Sequence, residues 1–173
     1  MGHGLGSHRE KTPSVDVLII DDNVAWAQLI RDQLEQSDST FSITTATGAT
    51  EAQSVLSDTS INCIVCDYYM PNMNGVEFLE HTQQEFGSRP FILVTGKGGE
   101  EVASKAISQG VSDYITKDEV RKQPSALVNR INNAVENHRL QERLRSQRKQ
   151  YQSIAQQTIE AVCITEDGSI VFT

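Results

Sequence analysis

Five short apolar runs recur along this chain, each followed by a stretch with helical periodicity. They read VDVLII (Val15–Ile20), FSITTA (Phe41–Ala46), INCIVC (Ile61–Cys66), PFILV (Pro90–Val94) and SDYIT (Ser112–Thr116). Runs that are apolar almost throughout belong to strands buried on both faces. Between them, Ala27, Ile30 and Leu34 recur at helical spacing, as do Ala52, Val55 and Leu56. Val76, Leu79 and Phe86 form a third such set, and Val102, Ala106 and Ile107 a fourth. Each set predicts a helix with one face to the core. Uniformly buried strands separated by crossover helices make a parallel sheet. Residues 14–138 therefore read as one α/β domain, with helices on both faces of five strands.

The flanks read differently. Residues 1–13 are rich in Gly, Ser and His and read as a flexible tail or an expression scar. A long helix is predicted from about Pro124, with Leu127, Ile131, Ala134 and Val135 on the sheet. Beyond them Leu140, Leu144, Gln147, Tyr151 and Ile154 follow in steps of four and three, the spacing of a coiled-coil seam. Residues 139–150 read as a polar linking helix whose seam suits either a homodimeric helix pair or a lone exposed helix. In residues 151–173 two short strands flank Asp167-Gly168, a good hairpin turn. Some twenty residues cannot bury a core, so this stretch is a cropped second domain or a small appendage.

Charge and cysteine content narrow the functions. A net charge of −8 and no basic recognition helix argue against a nucleic-acid binder. No apolar run approaches the roughly 20 residues that cross a bilayer, and no signal-peptide pattern opens the chain. Three cysteines are no disulfide framework and fit a reducing cytoplasm. Cys63 and Cys66 form C-x-x-C inside a strand, where residues three apart point to opposite faces. They read as two small buried hydrophobes rather than a metal or redox pair.

Ligands of an open parallel sheet bind outside the carboxyl ends of its strands. The residues there are Asp21 and Asp22 after the first strand, Asp67 after the third, Thr95 after the fourth and Lys117 after the fifth. Three carboxylates together repel one another unless a cation sits among them, and Lys117 supplies only one charge. Oxygen ligands on a partly solvated edge suit Mg²⁺. A phosphoryl group brought to Asp67 would meet the metal, the Thr95 hydroxyl and the Lys117 ammonium. Those parts serve in-line transfer to a carboxylate nucleophile.

These residues resemble the receiver domains of two-component response regulators over about 14–138. The resemblance is carried by LIIDDN, by DYYMPNMNG against the family's D-x-x-M-P-x-M-x-G loop, by VTG with Thr95, and by YITK with Lys117. It implies a flavodoxin-like, doubly wound (βα)5 sheet of order 2-1-3-4-5, with an extended C-terminal helix and a small β segment after it. It implies that Asp67 takes a phosphoryl group from a histidine kinase or a phosphotransfer protein. Asp21, Asp22, Asp67 and the backbone carbonyl of Tyr69 would hold Mg²⁺, and Thr95 with Tyr114 would form a coupled switch. Two positions depart from the family: Asp118 stands where Pro usually follows the lysine, and Gly96 where Ala usually follows the threonine. The first adds a carboxylate near the phosphate site; the second opens a mobile loop through Lys97, Gly98 and Gly99. The tail is more loosely similar to the opening of a PAS sensor domain, as in multidomain signalling proteins that carry a histidine kinase. Two other readings use the same fold: an interaction module without phosphorylation, and a flavodoxin-like nucleotide or flavin binder. The second lacks a phosphate-cradling loop after the first strand, where the chain has DDNVAW.

Overall fold

The computed structural model describes residues 14–96, 100–160, 163–164 and 170–171. The expected N-terminal tail, the Lys97–Gly99 loop and the Asp167-Gly168 turn lie outside the described residues. Contacts divide the chain into Met1–Val135 and Glu136–Thr173.

In the first unit, strands β1 (Val15–Ile20), β2 (Phe41–Ala46), β3 (Cys63–Asp67), β4 (Phe91–Thr95) and β5 (Asp113–Thr116) form one parallel sheet of order β2-β1-β3-β4-β5. This is the flavodoxin-like receiver architecture that the sequence implies. Helices α1 (Val24–Ser37), α2 (Ala49–Asp58), α3 (Gly75–Phe86) and α4 (Glu100–Ser108) alternate with the strands. The short α5 (Lys117–Lys122) and the long α6 (Pro124–Glu160) follow β5. No helix among the described residues is long and apolar enough to cross a membrane.

The sheet separates two apolar clusters. One gathers Val17, Ile19, Cys63, Val65, Ile92 and Val94 with Trp26, Ile30 and Leu34 of α1 and Leu127, Ile131 and Val135 of α6. The other gathers Leu18, Ile20, Ile64, Cys66, Phe91 and Leu93 with residues of α2, α3 and α4. Side chains alternate along a strand, so Cys63 falls in the first cluster and Cys66 in the second. Both are buried free thiols, and burial pushes each well above the ordinary thiol value.

Two helix starts position the site loops. Asn23 caps α1 by accepting from the Trp26 N–H at 3.1 Å. Asn74 caps α3, and Glu77 returns a hydrogen bond to the Asn74 N–H at 2.9 Å, a reciprocal capping box. Gly75 opens α3 where no side chain fits: a Cβ there would lie 2.6 Å from both the Asp67 carbonyl oxygen and Leu93 Cδ1. In the same loop Asn72 takes φ 69°, a left-handed conformation that Asn tolerates better than most residues.

Helix α5 is an element absent from the sequence reading. Thr116 and Glu119 form a second capping box around it, so T-x-x-E was the available signal. Strand ends also shift by a residue: Asp67 and Thr95 close their strands rather than follow them, because Asp67 pairs with Val94 and Thr95 with Thr116.

The second unit holds the later part of α6 and an antiparallel pair, β6 (Cys163–Ile164) with β7 (Ile170–Val171).

Candidate functional site

Side-chain oxygens of Asp21, Asp22 and Asp67 lie within 4.8 Å of one another at the carboxyl edge of the sheet. Asp21 and Asp67 are buried, and Asp22 is exposed. Lys117, the first residue of α5, reaches between the two buried groups. Its Nζ donates to Asp67 Oδ2 at 2.7 Å and stands 2.6 Å from Asp21 Oδ2. The same ammonium is thus shared between the two buried carboxylates. The other Asp21 oxygen, Oδ1, accepts from the Asn23 N–H at 2.8 Å. Asp67 Oδ1 accepts from the Tyr69 N–H at 3.3 Å.

Charge at this edge is unbalanced. Burial raises the Asp21 carboxyl above its ordinary value; the Lys117 ammonium and the Asn23 N–H pull it down, and Asp67 pushes it up again. Burial acts to lower the Lys117 ammonium, but Asp21 and Asp67 together outweigh it and hold it above the ordinary lysine value. One ammonium thus serves two buried carboxylates, with a third beside them. A hard divalent cation fits this donor set, which offers oxygen atoms only and an excess of negative charge.

The remaining expected residues sit around this cluster. Thr95 is fully buried at the end of β4, one residue beyond the Val94 that pairs with Asp67. Tyr69 is exposed in the loop after β3, its ring edge-on to Tyr68 at 4.8 Å. Tyr114 is half-buried on β5, its hydroxyl buried without a hydrogen-bond partner. Burial, then Glu119 and Tyr69, raise that phenol above its ordinary value.

Asp118 turns away from the cluster. It is 68% exposed, and its carboxylate stands 3.5 Å from the Arg121 guanidinium one helical turn on. All peptide bonds among the described residues are trans, and the chain leaves Lys117 directly into α5. The extra carboxylate expected to bear on the site instead lies on the outer face of a capped helix turn. Sequence reasoning also missed Trp26, whose ring centroid lies 4.8 Å from Lys117 Nζ. Its helical spacing with Ala27 and Ile30 marks it only as core.

The family model described as the response regulator receiver domain matches residues 17–132. The chain is similar to the response regulator SaeR of Staphylococcus aureus, 32% identical over 117 residues, 68% of this chain and 49% of that protein. It is also similar to the hydrogenase transcriptional regulatory protein HoxA of Bradyrhizobium diazoefficiens, 29% identical over 126 residues. That match covers 72% of this chain and 25% of that protein. The chain therefore spans a quarter to a half of the length of these curated relatives. Among solved structures, a response regulator receiver domain protein from Clostridium thermocellum superposes with a TM-score of 0.65 at 26% identity. The match covers 73% of this chain and 98% of that one.

Proposed function

The chain belongs to the response regulator receiver domain family, and on that premise we propose that Asp67 is its phosphoacceptor in two-component signalling. The observation that carries the reading is Lys117, whose ammonium bridges Asp21 and Asp67 at 2.6 and 2.7 Å. It stands beside Asp67 where negative charge would gather on a transferring phosphoryl group. The donor is a phosphohistidine of a histidine kinase or phosphotransfer protein. A carboxylate oxygen of Asp67 attacks phosphorus, the O–P bond forms as the N–P bond breaks, and the histidine nitrogen keeps the electron pair. Lys117 turns from Asp67 Oδ2 to a phosphoryl oxygen, and the Thr95 hydroxyl donates to another. Asp21, Asp22, Asp67 and the Tyr69 carbonyl would hold Mg²⁺, which when bound would supply the positive charge that one lysine cannot. Movement of Thr95 toward the phosphoryl group is coupled to the Tyr114 ring on the neighbouring strand.

Residues 14–138 act as the receiver, 139–150 as a signalling helix, and 151–173 as the start of a PAS-like sensor domain in a larger cytoplasmic protein, a histidine kinase among the candidates. Leu140, Leu144 and Tyr151 are exposed on α6, which supports a homodimer through that seam. Sedimentation of wild type against Leu144→Asp tests it, and a monomer in both removes the dimer.

Phosphorylation is tested by incubating the protein with Mg²⁺ and phosphoramidate and weighing the intact chain. Wild type gains one base-labile phosphoryl group and Asp67→Asn gains none. Equal labelling of the two proteins would overturn the assignment. No gain in wild type would favour the reading as an interaction module without phosphorylation.

A further inference from the structure

Lys117 has a third neighbour besides the two carboxylates. Its Nζ lies 4.8 Å from the centroid of the Trp26 ring, within the distance at which the face of an indole attracts a cation. Trp26 belongs to the first turn of α1, three residues after Asn23, and is 4% exposed. It shares its cluster with aliphatic side chains such as Val17, Ile30 and Val120. An aliphatic residue would fill such a place without stranding a donor, yet the Trp26 Nε1–H is buried with no hydrogen-bond partner. Buried polar groups are ordinarily paired because leaving one unpaired is destabilising. Packing alone thus explains the ring poorly, while its position against the site's ammonium gives it a use.

We propose that Trp26 is a positioning residue for Lys117, its indole face holding the ammonium at the sheet edge as the carboxylate contacts change. The proposal rests on the reading of Asp67 as phosphoacceptor. Once Asp67 carries a phosphoryl group, the ion pair with its free carboxylate is gone. A cation held at Asp21 would take up the other carboxylate. The neutral indole is the contact that neither event removes. It keeps Lys117, 14% exposed at its side chain, out of bulk water and limits its swing to the short path between Asp67 and the phosphoryl oxygens.

The chain contains one tryptophan, so biosynthetic incorporation of fluorinated tryptophans alters only this ring. Each fluorine withdraws electron density from the indole face and barely changes its size. The rate of phosphorylation by phosphoramidate is expected to fall stepwise with fluorine number, by about threefold to tenfold across the series, with Trp26→Phe intermediate. Independently of turnover, the Lys117 ε-methylene protons of metal-free protein should resonate upfield through the ring current. Lys117→Met identifies the signal, and Trp26→Leu abolishes the shift. Rates indifferent to fluorination, or ε-methylene protons at ordinary positions in wild type, would overturn the positioning role. The fluorinated proteins keep the test decisive even where Trp26→Leu fails to fold. A wild-type chain that accepts no phosphoryl group, yet shows the ring-current shift, sinks the reading of Asp67 and the role together, while an unshifted but phosphorylated chain sinks the role alone.

Discussion

Glu119 and Asp21 stand near the same carboxyl edge of the sheet, one accepting two hydrogen bonds from Thr116 and the other a single one from Asn23. The Thr116 N–H and hydroxyl, at 2.9 and 2.8 Å, hold the Glu119 carboxyl below its ordinary value. Thr47 does the same for Glu51, and Thr40 for Asp38. Asp21, fully buried, is displaced upward. Carboxylates outside the cluster are complete within the fold, each with its donors in place. Asp21, inside the cluster, shares its one ammonium with Asp67 and is short of positive charge.

The harshest way to break this contrast is to move the strand that carries Asp67. Gly75→Ala would set a methyl group 2.6 Å from the Asp67 carbonyl oxygen and Leu93 Cδ1. A loss of about 3 kcal/mol is expected in urea unfolding, with slower phosphorylation in whatever remains folded. A gentler probe supplies the missing charge. Mg²⁺ at a hundred times its dissociation constant should stabilise wild type by about 2.7 kcal/mol. That gain should disappear with a chelator and shrink markedly in Asp21→Asn, while Glu119→Gln keeps it. An unchanged gain in Asp21→Asn would place the cation elsewhere.

Smaller effects test the carboxylates outside the cluster. Thr116→Ala removes the cap of α5 and should cost about 1 kcal/mol without altering the Mg²⁺ increment. The pH dependence separates the two classes by sign. Asp38, Glu51 and Glu119 have depressed values, so their stabilisation is present above the ordinary carboxylate range and is lost as pH falls through the folded values. Asp21 has a raised value, so its contribution runs the other way and is lost as pH rises through it. Replacing Glu119 by Gln should therefore make the acid limb of a stability–pH curve shallower.

Much of this contrast was legible in the sequence because it follows from topology. A parallel sheet gathers whatever lies at its strand ends, and near-continuous apolar runs locate those ends to within a residue. Asp21, Asp22, Asp67 and Lys117 could be assembled on that basis alone. What escaped depends on angles and neighbours. Asp118 follows the site lysine directly, yet the capped turn of α5 carries it out to Arg121. Trp26 shares its spacing with ordinary core residues, and only three-dimensional packing brings Lys117 against its ring. Helix α5 hid because its six residues are too few for periodicity to register.

The span between Asp67 and Lys117, 50 residues along the chain, has a consequence for how the protein is born. At the usual pace of translation, Asp67 leaves the ribosome roughly 3 to 10 seconds before the lysine that neutralises it. For that interval the ion pair between Asp67 and Lys117 cannot form. A chain that stops short of β5 thus inherits the acids of the sheet edge without their lysine.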